Sequence, residues 1–232
     1  IMSLPRLNTP TFELILPSTG KKVKFRPFLV KEHKVLLTMA EADDSEVARI
    51  VSELVDVCTF NTLDVANLPH FDIEYIFLQL RAKSISETVD VVVNCECGNS
   101  INTSFNIDDL IVETTPNHTN KILLTDGFGV EMSYPVFKDV IDIFSSGDTT
   151  SIINLVINNI KGVYDSDNYW EMKDQTSEEI EEFVNSLTKQ QFDKIEEFFI
   201  TAPRVVQVIE TDCDKCGKHN ISRLEGLDNF FV

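Results

Sequence analysis

Two short cysteine motifs constrain most strongly how this chain can fold. One lies near the middle of the chain and the other near its end, and in both a glycine directly follows the second cysteine. They read Cys95-Glu96-Cys97-Gly98 and Cys213-Asp214-Lys215-Cys216-Gly217. Strand-like runs flank each motif, and a cysteine turn between two strands is typical of a zinc knuckle at the tip of a β-hairpin.

A closed structural zinc site needs four ligands, and each motif provides two. The simplest arrangement is one shared site formed by Cys95, Cys97, Cys213 and Cys216. Such a site would tie the middle of the chain to its end. Since four of the five cysteines fall in two close pairs, the sequence favours metal ligation in a reducing compartment over a disulfide framework.

Other assignments of these cysteines stay open at this point. His219 is close enough in sequence to Cys216 to replace one ligand, and Asp212 or Asp214 are weaker alternatives. The two pairs could also be free thiols that remain from a degenerate repeat. A thioredoxin-type redox centre is disfavoured because its CxxC motif opens a helix. Catalytic zinc is disfavoured because four thiolates leave no open coordination position.

The order of the expected elements is the same in the two halves of the chain. Each half begins with a β-hairpin, continues with about three helices and ends with a cysteine-containing β-hairpin. We therefore predict an α+β protein with an internal duplication, made of a first repeat over residues 1–114 and a second over 118–232, packed either as one body or as two. Leu14 matches Leu123, Val23 matches Met132 and Phe28 matches Phe137, all with the same separation in sequence. Cys97 matches Cys216 with a larger separation.

The second repeat differs from the first in one segment. The matching predicts a helix that carries Ile153, Val156, Ile157, Ile160 and Tyr164. Extra residues follow as an acidic insertion at 165–178, which also holds Tyr169 and Trp170. This insertion is either a solvated loop followed by a helix capped at Thr176 or Ser177, or a docking surface, because exposed aromatic residues beside acids suit protein contacts.

The composition excludes several classes of protein. The formal net charge of -18 over 232 residues argues against nucleic acid or an anionic membrane as the main partner, although it permits a basic protein partner. No apolar run is long enough to span a membrane, and we expect no signal peptide. No nucleophile motif, phosphate-binding loop or zinc-protease motif occurs, so we expect no enzymatic activity. Cys58 lies on an apolar helix stripe, where a small buried side chain is expected.

Several short motifs in the first half occur together with the cysteine hairpins. They are Leu16-Pro17-Ser18-Thr19-Gly20-Lys21, then Val23-Lys24-Phe25-Arg26-Pro27-Phe28, then Lys31-Glu32-His33-Lys34 with Leu36-Leu37, and the Cys-Gly knuckle after a valine-rich strand. With these motifs the chain resembles the family of the T4-type bacteriophage baseplate hub subunit and hub assembly protein.

The resemblance implies a structural or assembly role in a contractile tail baseplate. Partners would be other hub or tail-tube proteins, and the protein would be in the virion tail baseplate and, during assembly, in the host cytoplasm. The alternative is a zinc-knuckle adaptor that binds a basic host or phage protein through its acidic surface. The terminal segment Leu227–Val232 is a further candidate for partner contact.

Overall fold

The computed structural model describes residues 7–39, 42–140 and 149–225, and its fold is α+β, as expected from the sequence. Two compact units are present, one formed by Ile1–Glu113 with Arg204–Val232 and the other by Thr114–Pro203. The second unit is therefore inserted into the chain of the first. The two predicted repeats are defined by the order of their elements, whereas the two compact units are defined by contacts between residues. The internal duplication therefore stays a prediction. The segment Leu227–Val232 lies outside the described residues.

The elements alternate between hairpins and helices along the chain. The first unit begins with β1 Phe12–Ile15, β2 Lys22–Phe25, α1 Val30–Thr38, α2 Asp44–Cys58, α3 His70–Ser84, β3 Thr88–Asn94, β4 Ser100–Asn106 and β5 Ile111–Glu113. The second unit contains β6 Lys121–Thr125, β7 Phe128–Met132, α4 Thr149–Asn159, β8 Ile160–Tyr164, β9 Tyr169–Glu171, α5 Ser177–Ser186 and α6 Lys189–Thr201. The first unit ends with β10 Arg204–Asp212 and β11 His219–Glu225. Within the described ranges, no helix has the length and apolar character needed to cross a membrane.

Strand pairing joins the two chain segments that make up the first unit. Strand β10 pairs antiparallel with β5, so that Ile111 lies opposite Val206 and Glu113 opposite Arg204. Strand β11 pairs with the other edge of β10, and Arg223 of β11 forms an ion pair with Glu113 of β5. The strands β3 and β4 form a separate antiparallel hairpin, which carries the first cysteine motif at its tip.

Helix α3 lies at the centre of the first unit. Its apolar residues occur on all sides of the helix, and a helix of this kind must be covered on all sides. Helix α2 and strand β10 both contact it. The apolar side chains of α3 with no more than 1% exposure are Phe71, Ile73, Ile76, Phe77, Leu78 and Leu80.

A buried ion pair fixes the start of helix α1. Glu32 accepts a hydrogen bond from the Leu29 backbone N–H at 2.8 Å and another from the Arg26 guanidinium at 2.8 Å. Burial tends to raise the pKa of Glu32, but the hydrogen bonds from Arg26 and Leu29 outweigh this effect and lower it. Arg26 and Glu32 each belong to one of the short sequence motifs of the first half. Their hydrogen bond connects β2 to α1.

A second buried carboxyl group holds the turn between β1 and β2. Asp72 lies in the first turn of α3 with no exposed surface, and it accepts hydrogen bonds from the Ser18 backbone N–H at 3.0 Å and from the Ser18 hydroxyl. Removal from water raises the pKa of Asp72, and the two bonds from Ser18 offset only part of this effect. The turn is thus attached to the central helix by a group that costs free energy to ionise.

The raised pKa of Asp72 makes a prediction for stability. Because the folded state binds this proton more tightly than the unfolded state does, the free energy of unfolding falls as pH rises above the ordinary Asp value of 3.8. Asp72→Asn keeps an acceptor for Ser18 and removes the ionisation. We expect the stability of the variant, relative to the wild type, to increase from about pH 4 to about pH 7 in urea unfolding. A difference that stays constant or decreases with pH would contradict this assignment.

The second unit is built on an antiparallel sheet with the strand order β6-β7-β8-β9. Apolar residues from one face of this sheet pack against α4, α5 and α6 in a continuous core. Its buried members are Ile122, Leu124, Val130, Met132, Val156, Ile160, Val163, Val184, Ile195 and Phe198.

The helix expected to continue to Tyr164 ends earlier than the sequence matching indicates. Helix α4 ends at Asn159, and the residues from Ile160 onward form β8, which pairs with β7. Apolar positions over a short run fit both a helix and a strand. Here Gly162 and the β-branched Ile160 and Val163 disfavour a helix, and pairing with β7 decides for the strand.

The acidic insertion at 165–178 contains regular secondary structure and is not simply a loop. Asp165 closes the turn after β8 by accepting a hydrogen bond from the Asp167 backbone N–H at 2.8 Å, and β9 then pairs with β8. A short 3-10 turn follows at Met172–Asp174. Helix α5 begins after Thr176, which forms a capping box with Glu179, so the cap expected at Thr176 is confirmed.

A tyrosine ring packs on a glycine to hold β9 against β8. A Cβ atom at Gly162 would come within 2.4 Å of ring atoms of Tyr169. The absence of a side chain at Gly162 therefore allows the ring of Tyr169 to lie against the backbone of β8. Contacts of this kind between an aromatic ring and a strand glycine stabilise sheet edges.

Gly162→Ala should displace the ring of Tyr169 and weaken the attachment of β9. We expect a loss of about 1–3 kcal/mol in the free energy of unfolding, the usual cost of overpacking. The same substitution in a Tyr169→Ala background should cost much less, because the crowding atoms are gone. Equal costs in the two backgrounds, measured by urea unfolding, would contradict this account.

Candidate metal centre

The first cysteine motif forms a tight turn between β3 and β4. The Gly98 backbone N–H donates to the Cys95 carbonyl at 2.9 Å, and the Cys95 N–H donates to the Asn99 carbonyl at 2.8 Å. Gly98 has a φ of +81°, in the region that side chains disfavour. These bonds close the turn that carries both cysteines.

The second motif repeats this arrangement between β10 and β11 with one more residue in the turn. The Gly217 N–H donates to the Cys213 carbonyl at 2.8 Å, and the Cys213 N–H donates to the Lys218 carbonyl at 2.9 Å. Gly217 has a φ of +71°. The different spacings, CxC and CxxC, are therefore accommodated by turns of different length that are closed in the same way.

The two turns bring the four thiols together. Sulfur atoms of Cys95 and Cys216 are 3.7 Å apart, and those of Cys97 and Cys213 are also 3.7 Å apart. All four sulfurs lie within 4.8 Å of one another. In each motif the first cysteine is buried and the second is exposed, and none of the four forms a disulfide. This cluster could hold a metal ion.

Backbone amides around the second turn favour a thiolate at the cluster. Hydrogen bonds from the N–H groups of Cys216 and Lys215 lower the pKa of the Cys213 thiol to about 6. The Lys218 N–H lowers the pKa of Cys216, but the neighbouring thiols of Cys97 and Cys213 outweigh it and raise that pKa to about 12. Without a cation, the crowded sulfurs therefore cannot all be ionised near neutral pH.

Polar side chains also connect the two motifs directly. The Asn99 amide nitrogen lies 3.6 Å from the Cys213 sulfur and donates to Asp214 at 2.6 Å. Lys218 pairs with Glu96 at 2.6 Å, but both side chains are largely exposed, and a pair of this kind contributes little to stability. The two motifs are therefore also in contact through side chains other than those of the cysteines.

Almost the whole chain matches one known protein family. Residues 9–232 match the family model described as T4 bacteriophage base plate protein. The chain belongs to this family. No curated protein and no solved structure matches the chain.

In this base plate protein the alternative ligands lie outside the cluster. His219 is turned toward Asp212, with 2.8 Å between its Nδ1 and the carboxylate, and Asp214 is bonded to Asn99. Among the residues that the structure describes, the four cysteines are the one group of cysteine, histidine and acidic side chains close enough to share a metal ion. Cys58 is fully buried at the end of α2, and burial raises the pKa of its thiol to about 11, as expected for an inert core residue.

The turn geometry predicts a difference between two substitutions at Gly217. Because no atom lies within 4 Å of a Cβ there, the cost of a side chain comes from the positive φ alone. We expect Gly217→Ala to lower the free energy of unfolding by about 1 kcal/mol, and Gly217→Asn to lower it less, since asparagine tolerates this conformation. Urea unfolding of both base plate protein variants is the measurement, and equal losses would contradict the assignment.

Proposed function

We propose that the protein is a non-enzymatic structural or assembly component of the hub of a contractile phage tail baseplate. It would bind neighbouring hub or tail-tube proteins, in the host cytoplasm during assembly and in the virion baseplate afterwards. The observation that carries this proposal is the match of residues 9–232 to the base plate family. The short motifs that resemble the hub subunit and hub assembly protein support the narrower assignment to the hub.

We further propose that Cys95, Cys97, Cys213 and Cys216 bind one structural zinc ion. A tetrahedral site with zinc–sulfur distances of about 2.3 Å has sulfur–sulfur edges of about 3.8 Å. The separations of the Cys95–Cys216 and Cys97–Cys213 sulfur pairs, both 3.7 Å, fit this value. Zinc bound by four thiolates would remove the charge repulsion between the sulfurs and clamp the β3–β4 and β10–β11 hairpins together.

A role in binding rather than catalysis is consistent with this ligand set. Four protein thiolates fill a tetrahedral coordination sphere and leave no position for a substrate or a water molecule. The buried carboxyl groups of Glu32 and Asp72 are both bonded to structural partners. The adaptor hypothesis, in which the chain binds a host protein, shares the zinc site, but family membership supports partners from the phage tail.

Co-expression with the other baseplate proteins of the same phage tests the hub assignment. We expect the protein to enter a defined complex with one or more of them, seen as co-elution in size-exclusion chromatography. A protein that elutes alone under these conditions, but binds host factors, would contradict the hub assignment and favour the adaptor.

Metal content tests the zinc clamp independently of any partner. Mass spectrometry of the purified protein should find about one zinc per chain, and Cys213→Ser should lose the metal and melt at a lower temperature. Cys58→Ala is the matched control, since it removes a buried thiol outside the cluster; it should lower stability but keep the zinc. Wild-type protein without metal, with a melting temperature unchanged by Cys213→Ser, would show that the cysteines are not ligands.

A further inference from the structure

An open apolar groove lies in the second unit, between its sheet and helix α5. The groove has a volume of about 270 Å³. The sheet side and the following 3-10 turn contribute Phe128, Val163, Trp170 and Met172, and α5 contributes Ile180 and Phe183. Trp170 belongs to the acidic insertion and keeps 41% of its surface exposed. The insertion thus forms one wall of the groove.

The chain segments that line this groove carry several carboxylates, which differ in what they contact. Asp165 closes a turn, Glu171 pairs with Lys173, and Glu179 is part of the α5 capping box. The remaining acids of this region are exposed, and among the described residues no ion pair is formed by Asp167, Asp174, Glu178, Glu181 or Glu182. The groove is therefore apolar within, and the segments that form its walls carry exposed carboxylates that form no ion pair with a described residue.

We infer that this groove binds a basic amphipathic segment of a partner protein. An apolar side chain of the segment would fill the groove, and its lysine or arginine residues would meet the carboxylates around it. The volume is below the usual range for small-molecule sites, about 300–1,000 Å³, and suits an anchoring side chain. The inference deepens the proposed function and rests on it for the source of the segment, which would be another protein of the baseplate.

Charge complementarity supports this choice of occupant. Opposite potentials across an interface accelerate association and reject wrong partners, and an acidic segment would be repelled by the groove's surroundings. A purely polar basic segment would leave the apolar surface of Trp170, Ile180 and Phe183 exposed to water. The bound segment therefore needs both basic side chains and an apolar side chain. Its binding should weaken as salt screens the charges.

The single tryptophan of the chain is Trp170, so its fluorescence reports on the groove directly. Three short peptides serve as probes: one that combines lysines with leucine and phenylalanine, one with glutamate in place of lysine, and one with serine in place of leucine and phenylalanine. We expect a saturable, salt-sensitive fluorescence change with the first peptide only. No saturable change, or the same response to all three peptides, would overturn the inference.

Charge-reversal variants distinguish an effect of the acids near the groove from an effect of the protein's net charge. Asp174→Lys with Glu182→Lys changes two exposed acids beside the groove, whereas Asp90→Lys with Glu197→Lys makes the same change in net charge elsewhere. We expect about tenfold weaker binding of the lysine-containing amphipathic peptide for the first pair and little change for the second. Equal effects of the two pairs, or no effect of the first, would overturn the inference.

The same two double variants test whether the groove binds another protein of the baseplate. Co-expressed with the baseplate proteins, the groove variant should be depleted from the complex that the wild type and the control variant enter. If the groove variant enters the complex as well as the wild type, the groove inference fails while the hub assignment stands. If the wild type enters no complex, the hub assignment fails, and the peptide titration still decides whether the groove binds a basic segment.

Discussion

The first unit is made of two chain segments that lie far apart in sequence, and its structure depends on what joins them. The whole second unit, Thr114–Pro203, lies between these segments. Bringing together the ends of such a long intervening chain costs conformational entropy. Among the interactions that oppose this cost are the ladder between β5 and β10, the packing of β10 against α3, and the cluster of four thiols at the tips of the two hairpins. A metal ion at the cluster would add a gross contribution on the order of 10 kcal/mol, if the site resembles zinc-finger peptides.

The cysteine cluster could be predicted from sequence because its signals are local. A Cys-Gly turn between two strand-like runs indicates a hairpin tip, and Gly98 and Gly217 do have the positive φ that such turns require. The attachment of Ser18 to Asp72 could not be predicted, since nothing in the sequence distinguishes a buried aspartate near a helix start from an exposed one. Strand β8 was missed because Ile160 and Tyr164 fit a helical stripe, and only pairing with β7 identifies them as strand residues. The groove depends on long-range packing of the insertion against α5, although its acidic and aromatic composition marked it as a candidate surface.

The two units carry different kinds of feature, as expected for a structural protein that binds other proteins. The first unit contains the buried polar links, Arg26 to Glu32 and Ser18 to Asp72, together with the thiol cluster. Each of these features connects parts of the first unit to one another. The second unit carries an open apolar groove, and the segments that form its walls have exposed carboxylates. In a family of base plate proteins, a cross-linked first unit and the proposed binding groove on the second are consistent with a structural role.

We propose that one metal ion joins the two cysteine hairpins through four sulfur ligands. X-ray absorption at the zinc edge of the purified protein tests this proposal most directly, because the method reports the identity and distance of the ligand atoms. We expect about four sulfurs at about 2.3 Å and no nitrogen or oxygen ligand. A mixed shell that includes nitrogen or oxygen, or protein that contains no zinc, would contradict it.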